Sequence, residues 1–205
     1  GPVSPDVFIQ YAEEAGLIEQ VDTWSLRHAC AAAANWSSPL RVCVNISPLW
    51  LANGRLAPLI SATLAESGLA AHRLQIELSE LRSFGPTALA YQELSRLRAL
   101  GVKIALDDFG CGYSCLERLS SFPLDQIKLD RFFMGKMQGD PRVSEVLRAL
   151  LQLATALGIS CCVKGVETER QMAFLEAYGC TEVQGYLLGQ PADQALPDLL
   201  QQTDA

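Results

Sequence analysis

The sequence predicts an α/β fold built as a modified (β/α)8 TIM-type barrel. Short runs rich in valine, isoleucine, leucine and cysteine alternate with amphipathic helical segments, which is typical of parallel strands joined by crossover helices. Nearly every predicted strand also ends in a polar residue, as expected for a barrel whose site is built where its strands end. An open doubly wound sheet is the main competitor, but it would gather such residues at one switch point.

The apolar runs predict six strands, fewer than a complete barrel has, so we expect some barrel elements to be missing or undetected. In chain order they are Arg41–Asn45, Leu74–Leu78, Val102–Asp107, Gln126–Leu129, Ser160–Val163 and Thr181–Val183. Helical periodicity predicts the segments between them: Pro5–Ala15, Val21–Ala34, Leu56–Ser67, Pro86–Ala99, Arg142–Leu157, Glu169–Tyr178 and Asp193–Gln201. Gly158 and Gly179 each follow a helical pattern, as a residue just past a helix C-terminus does.

Composition narrows the function classes. A length of 205 residues fits one domain, and a formal charge of -7 argues against a protein that grips a nucleic acid polymer through its phosphates. No apolar run reaches the roughly 18 residues of a membrane span, so we expect no membrane segment in this stretch. The seven cysteines are odd in number and show no paired zinc spacing, which favours a reducing compartment. We therefore expect a cytoplasmic location, either alone or as the cytoplasmic part of a larger protein.

The strand ends carry the chemistry. Asp107 and Asp108 end one buried strand, and adjacent carboxylates repel each other and are costly to desolvate. A divalent metal between them and a capping role for them are both open at this point. The polar residues at the strand ends are Asn45, Glu77, Asp107 with Asp108, Lys128, Lys164 with Glu167, and Gln184. Asparagine and carboxylate oxygens suit Mg²⁺, Mn²⁺ or Ca²⁺, and a lysine beside such metals suits an anionic phosphate, so the set suggests phosphoester hydrolysis.

The order of these motifs resembles that of EAL domains, bacterial cyclic di-GMP phosphodiesterases on a modified (β/α)8 barrel. The resemblance covers nearly the whole chain, and a series of motifs in the right order is far more specific than any one of them. The segments that carry it are Phe8–Ile18, Val44–Ser47, Glu77–Glu80, Asp107–Ser114, Lys128–Arg131, Gly165–Thr168 and Gln184–Tyr186.

The resemblance implies a role for each matching residue. Asn45, Glu77, Asp107 and Asp108 correspond to metal ligands, and Lys128 corresponds to the lysine that binds or orients the attacking water. Glu167 belongs with Lys128 in the catalytic group. Glu80, Gln184 and Asp130 are candidates for ligand binding, although a salt bridge between loop and helix is an equal alternative for Asp130.

Lys164 is the main departure from the family pattern. The family has a glutamate there, assigned as general base or metal-site residue, whereas this chain reads Val163-Lys164-Gly165-Val166-Glu167. A charged lysine cannot accept a proton from water, and among these carboxylates it can neutralise charge as a metal would. We therefore expect a tethered counter-ion that displaces at least one Mg²⁺ or Mn²⁺ and abolishes hydrolysis. In the alternative, Lys164 turns to solvent and metal binding is weakened but present.

A second departure concerns the start of the domain. The Glu-Ala-Leu motif of the family, which lies on the first barrel strand and supplies another metal ligand, would lie before Gly1. We therefore expect residues 1–205 to form a single EAL-like domain that is N-terminally incomplete, with its first strand apparently absent from this chain.

Three functions remain open from the sequence. The favoured one is a degenerate EAL domain that binds cyclic di-GMP as a receptor and signals to an attached or separate protein, with a homodimer as a further expectation. The second is an active phosphodiesterase dependent on Mg²⁺ or Mn²⁺, against which Lys164 argues. The third is a nucleotide-independent protein-interaction domain, since fold does not fix function.

Overall fold

A curled sheet of six parallel strands forms the centre of the molecule, described by a computed structural model for residues 5–79, 87–110 and 119–190. Each strand pairs with the next one along the chain, which is the order of a barrel and not that of a doubly wound sheet. The strands are β1 Val42–Asn45, β2 Leu74–Ser79, β3 Lys103–Phe109, β4 Gln126–Leu129, β5 Ser160–Lys164 and β6 Glu182–Gln184. The predicted barrel-type fold is confirmed, with all six strands close to their predicted positions.

Helices pack around this sheet. They are α1 Pro5–Glu14, α2 Ile18–Ala34, α3 Leu49–Asn53, α4 Leu56–Ser67, α5 Thr87–Ala99, α6 Phe132–Lys136, α7 Pro141–Leu157 and α8 Glu169–Ala177. A short 3-10 turn, Ala71–Arg73, leads into β2. As predicted, Gly158 caps α7 in the left-handed region, at φ 68°, and Gly179 follows α8 with φ 74°.

Two short helices with both ends inside the described residues, α3 and α6, are not predicted by the periodicity. Each has five residues, too few for an amphipathic repeat to be visible. Helix α2 also begins earlier than predicted, at Ile18. The predicted helix Asp193–Gln201 and the predicted start at Pro86 lie outside the described residues.

The core lies between the outer face of the sheet and the helices. Alternate strand residues such as Ile76, Ile104 and Ile127 point outwards and are almost fully buried against helical residues such as Leu26 and Leu94. The opposite, inner face is polar although it too is buried. Its polar residues include Gln75, Glu77, Asp107, Gln126 and Lys128. The fold therefore hides charged groups inside the sheet's concave face, and these groups need partners there.

Candidate functional site

The polar residues at the ends of the strands lie along one edge of the sheet. All strand pairs are parallel, and the register places Asn45 beside Glu77, Ser79 beside Asp107, and Lys164 beside Gln184. Because the carboxyl ends of parallel strands meet at the same edge, residues distant in sequence become neighbours there.

An irregularity in β3 brings two consecutive carboxylates to the same place. Side chains normally alternate between the faces of a strand, so Asp107 and Asp108 should point to opposite sides. The pairing of β3 with β4 shifts between Leu106 and Phe109, and Asp108 has a φ of 54°, in the left-handed region. Aspartate tolerates this conformation better than most residues do. Both carboxylates can therefore meet one partner.

That partner is Lys164 at the end of β5. Its Nζ donates to Oδ1 of Asp107 at 2.8 Å and to Oδ1 of Asp108 at 2.6 Å, and its side chain is 21% exposed. Burial by itself lowers the pKa of the Lys164 ammonium, but the hydrogen bonds and charges of the two aspartates outweigh burial and hold that pKa above the usual lysine value. Lys164 is thus charged at neutral pH.

A second lysine neutralises the remaining carboxylate of the inner face. Nζ of Lys128 lies 2.7 Å from Oε1 of Glu77, and both side chains are almost fully buried. Burial lowers the pKa of Lys128, yet the neighbouring Glu77 more than offsets this and the pKa is raised overall. The sequence suggested that Lys164 would lie among all the carboxylates. The structure instead divides them, with Asp107 and Asp108 on Lys164 and Glu77 on Lys128.

Gln75 links this pair to the base of the sheet. It accepts a hydrogen bond from Nη1 of Arg41 and donates through Nε2 to Oε1 of Gln126 at 2.8 Å, with a longer 3.4 Å contact to Oε1 of Glu77. Gln75 is two residues before Glu77 on the same face of β2, so the two side chains are neighbours and Gln75 supports the Glu77 carboxylate. A buried ion pair with such additional hydrogen bonds is better satisfied than an isolated one.

The other predicted residues lie at several places around this edge of the sheet. Asn45 is exposed and lines the cleft that also contains Lys164, and Gln184 is also exposed.

Glu167 and Asp130 line a separate cavity of about 380 Å³ between the loops after β4 and β5. Within the described part of the chain, no hydrogen bond or ion pair joins the Glu167 side chain to Lys164. Asp130 uses Oδ1 to accept the Phe132 amide, and Glu80 lies outside the described residues.

A cleft of about 820 Å³ opens over Lys164 and the two aspartates. Its far wall is made by α1 and α2, with Phe8, Gln10 and Ser25, and its floor by the end of β1. This volume falls within the range of about 300–1,000 Å³ typical of small-molecule sites. The lining combines hydrogen-bonding groups such as Asn45 and Lys164 with apolar side chains such as Phe8 and Val21, which suits a ligand that has both polar and apolar parts.

Sequence reasoning missed Asp22, a buried carboxylate in this cleft. Its Oδ2 accepts the Ser47 amide at 2.9 Å and Nε1 of Trp50 at 3.0 Å, which ties α2 to the segment that follows Asn45. Burial raises the pKa of Asp22 to about 6, although both hydrogen bonds oppose the shift. The sequence pattern does not identify Asp22 as buried, because an aspartate within a helical repeat is expected to face solvent.

Gln171 was missed as well, and here a signal was available. Its Oε1 accepts the amides of Glu167 at 2.8 Å and Thr168 at 3.0 Å, and its Nε2 donates to the Met134 carbonyl at 3.0 Å. Thr168 and Gln171 form a capping box at the start of α8. The spacing Thr-x-x-Gln before a helix would have identified it. Gln171 fastens the loop that follows Lys164 onto α6.

The donor set can be compared with what a divalent metal requires. Mg²⁺ demands near-octahedral oxygen ligands at about 2.0–2.1 Å. Among residues 5–79, 87–110 and 119–190, no group of three or more histidine, cysteine or acidic side chains is placed to hold a metal. The carboxylates expected to bridge metals are paired with Lys164, and Glu77 is paired with Lys128. The site in this arrangement does not fit a bound metal pair.

No helix in the described parts of the chain is both long and apolar enough to cross a membrane.

Comparison with known proteins places this geometry in a family. A family profile described as "EAL domain" matches residues 1–191. An uncharacterized signaling protein of Caulobacter vibrioides is 46% identical over 192 residues, covering 94% of this chain and 24% of that protein. The cyclic di-GMP phosphodiesterase RocR of Pseudomonas aeruginosa is 38% identical over 195 residues, covering 93% of this chain and 50% of RocR. The chain thus spans about a quarter to a half of these curated relatives.

A solved structure supports the same assignment. The PaMucR phosphodiesterase in complex with c-di-GMP superposes with a TM-score of 0.88 at 34% sequence identity, covering 95% of this chain and 81% of that one. Fold, strand-end geometry and sequence therefore agree, and this chain belongs to the EAL domain family.

Proposed function

We propose that this EAL domain binds cyclic di-GMP as a receptor or signalling module and does not hydrolyse it efficiently. The observation that carries the proposal is the Lys164 ammonium, held by Asp107 and Asp108 where the family pattern has a glutamate. Relatives named as cyclic di-GMP phosphodiesterases, and the PaMucR complex with that nucleotide, support the choice of ligand.

The loss of hydrolysis follows from acid–base chemistry. A general base must be able to accept a proton from the attacking water near neutral pH. Lys164 has a raised pKa and is therefore already protonated, so it cannot take that proton. Lys128 is likewise protonated and is committed to Glu77. Asn45, Glu77, Asp107 and Asp108 would hold Mg²⁺ or Mn²⁺ only if both lysines withdrew from their carboxylates.

Ligand binding remains chemically reasonable without hydrolysis. An ammonium has three N–H donors, and the two aspartates use two of them, so one is left for the cleft that Lys164 lines. A phosphodiester oxygen is a suitable acceptor for a charged donor. Exposed polar groups such as Asn45 stand in the same cleft and supply further hydrogen bonds.

An active phosphodiesterase is the second candidate. The presence of Asn45, Glu77, Asp107, Asp108 and Lys128 at the expected strand ends favours it, because these are the positions that the resemblance assigns to metal and water binding. This activity requires a general base other than Lys164. It also requires the Lys164 ammonium to move away from Asp107 and Asp108. Either domain would pass its signal to an attached or separate protein, and we include a homodimer in the proposal.

Calorimetry with cyclic di-GMP, in Mg²⁺ and then in EDTA, tests the proposal when the recovered nucleotide is analysed by chromatography. Saturable binding with intact nucleotide in both buffers is the expected result. Linear dinucleotide would establish the enzyme instead, and absence of binding in both buffers would leave a nucleotide-independent interaction domain. The exposed Lys136, in α6, provides a control variant, since Lys136→Met removes a lysine without touching the cleft.

A further inference from the structure

The space between Asp107 and Asp108 already contains a cation. Nζ of Lys164 lies 2.8 Å from one carboxylate oxygen and 2.6 Å from the other, which are ordinary lengths for charged hydrogen bonds. A metal bridging the same two oxygens would have to lie about 2.0–2.1 Å from each, in the region that the ammonium fills. The two cations are therefore alternative occupants of one position.

The backbone around Lys164 is fixed, which keeps its ammonium at that position. Lys164 pairs in register with Gln184 of β6, and the preceding Val163 pairs with Leu129 of β4. The following segment is held by hydrogen bonds from the Val166 amide to the Gln184 carbonyl and from the Leu187 amide to the Val166 carbonyl. Gln171 holds the next two amides. The lysine stem thus starts from a rigid base and ends on two carboxylates.

The charge balance around this position also leaves little for a metal to neutralise. Glu77, Asp107 and Asp108 contribute three negative charges, and Lys128 and Lys164 contribute two positive ones. A divalent ion would add two positive charges beside two ammonium groups, and like charges at such short range disfavour one another.

We propose that Lys164 is the resident cation of this site, that it excludes divalent metals from Asp107 and Asp108, and that its remaining N–H binds a phosphodiester oxygen. Ligand binding is then independent of metal. The metal-exclusion part stands on this chain's own contacts, whereas the phosphodiester part rests on the proposed function.

Manganese alone is the first probe, because Mn²⁺ binding can be followed by electron paramagnetic resonance without any nucleotide. Lys164→Met removes the charge while keeping much of the stem, and Lys164→Arg keeps the charge. We expect Lys164→Met to bind Mn²⁺ at least about tenfold more tightly than the wild-type protein, because it removes a like charge from beside the metal position. Lys164→Arg and the control Lys136→Met should behave like wild type. Wild-type protein that binds Mn²⁺ at Asp107 and Asp108 overturns the proposal, and that measurement does not depend on the folding of any variant. Wild-type binding as tight as that of Lys164→Met overturns it as well.

Nucleotide affinity in EDTA is the second measurement and separates the two proposals. The receptor function and the resident cation are both supported if cyclic di-GMP binds equally well in EDTA and in Mg²⁺ and binds more weakly to Lys164→Met. Mn²⁺ exclusion without any nucleotide binding leaves the resident cation standing and removes the receptor. Nucleotide binding that requires metal in the wild type contradicts the resident cation but not the receptor.

Discussion

Lys164 contacts Asp108 because Asp108 adopts a left-handed backbone conformation that turns its carboxylate to the side of Asp107. In a regular strand the two aspartates would face opposite ways and one ammonium could not serve both. The shifted register of β3 and the lysine at the end of β5 therefore form one feature of the site.

The first prediction concerns stability without that ammonium. Lys164→Met leaves Asp107 and Asp108 facing each other, so we expect a loss of about 1–3 kcal/mol in unfolding free energy in EDTA, less than for a fully buried pair because Lys164 is partly exposed. Added Mn²⁺ should raise the melting temperature of the variant and leave the wild type unchanged. Differential scanning fluorimetry checks both. A similar Mn²⁺ response in the two proteins would contradict the prediction.

The second prediction concerns the buried pair Lys128 and Glu77. Lys128→Met leaves a buried carboxylate without its cation, at an expected cost of about 3–5 kcal/mol. The double variant Lys128→Met/Glu77→Leu should be more stable than Lys128→Met alone, because neither charge remains.

Urea unfolding measures both changes. The exposed pair Arg148 and Glu145 is the matched control, and its disruption should cost about 0–1 kcal/mol. Equal losses of unfolding free energy at the two pairs would show that burial does not increase the cost of disrupting the Lys128–Glu77 pair.

The third prediction concerns pH and Asp22. Burial raises the pKa of Asp22 from 3.8 to about 6, so between these values the folded protein binds more protons at this carboxyl than the unfolded chain does. Its contribution to stability is therefore full below about pH 4 and is lost as the pH rises through about 6, a change of roughly 3 kcal/mol. Glu13 and Glu19 raise the same pKa and add to the effect.

Unfolding free energies of the wild type and of Asp22→Asn, measured from pH 4 to 7, isolate this contribution. The wild type should lose stability relative to Asp22→Asn over that range. Parallel curves would mean that Asp22 does not titrate there.

The fourth prediction concerns the anchor at Gln171. Gln171→Leu removes the acceptor for the Glu167 and Thr168 amides and leaves both without their partner. Gln171→Glu keeps that acceptor and loses only the donation to Met134. We expect hydrogen exchange of the two amides to accelerate strongly in the first variant and slightly in the second. Equal protection in Gln171→Leu would show that another group fixes the loop.

The fifth prediction compares two glycines with similar positive φ angles. A Cβ on Gly165, at φ 79°, would lie 2.7 Å from Cβ of Arg131, whereas a Cβ on Gly179, at φ 74°, meets nothing within 4 Å. Gly179→Ala should cost about 1–2 kcal/mol from the left-handed conformation alone. Gly165→Ala should cost clearly more, because the loop after β5 must also move. Chemical denaturation gives both values, and similar losses would mean that the contact relaxes freely.

The sequence was sufficient to predict the strands of the sheet, because apolar runs, turn residues and polar strand ends follow simple periodicities. It also located Lys164, since a lysine in place of an acid changes charge as well as shape. It was not sufficient for the partner of each lysine, because the choice between Asp107 and Glu77 depends on which residues are neighbours across the sheet. Asp22 was missed because burial of one helix face is decided by tertiary packing.

The sequential strand order has a consequence for how the chain forms. Since every strand pairs with its immediate successor, the sheet can grow from β1 to β6 as the polypeptide leaves the ribosome, without waiting for a distant segment. Lys164, in the fifth strand, reaches its aspartates only after β3 and β4 are in place. Until β5 has joined the sheet, Asp107 and Asp108 have no ammonium between them.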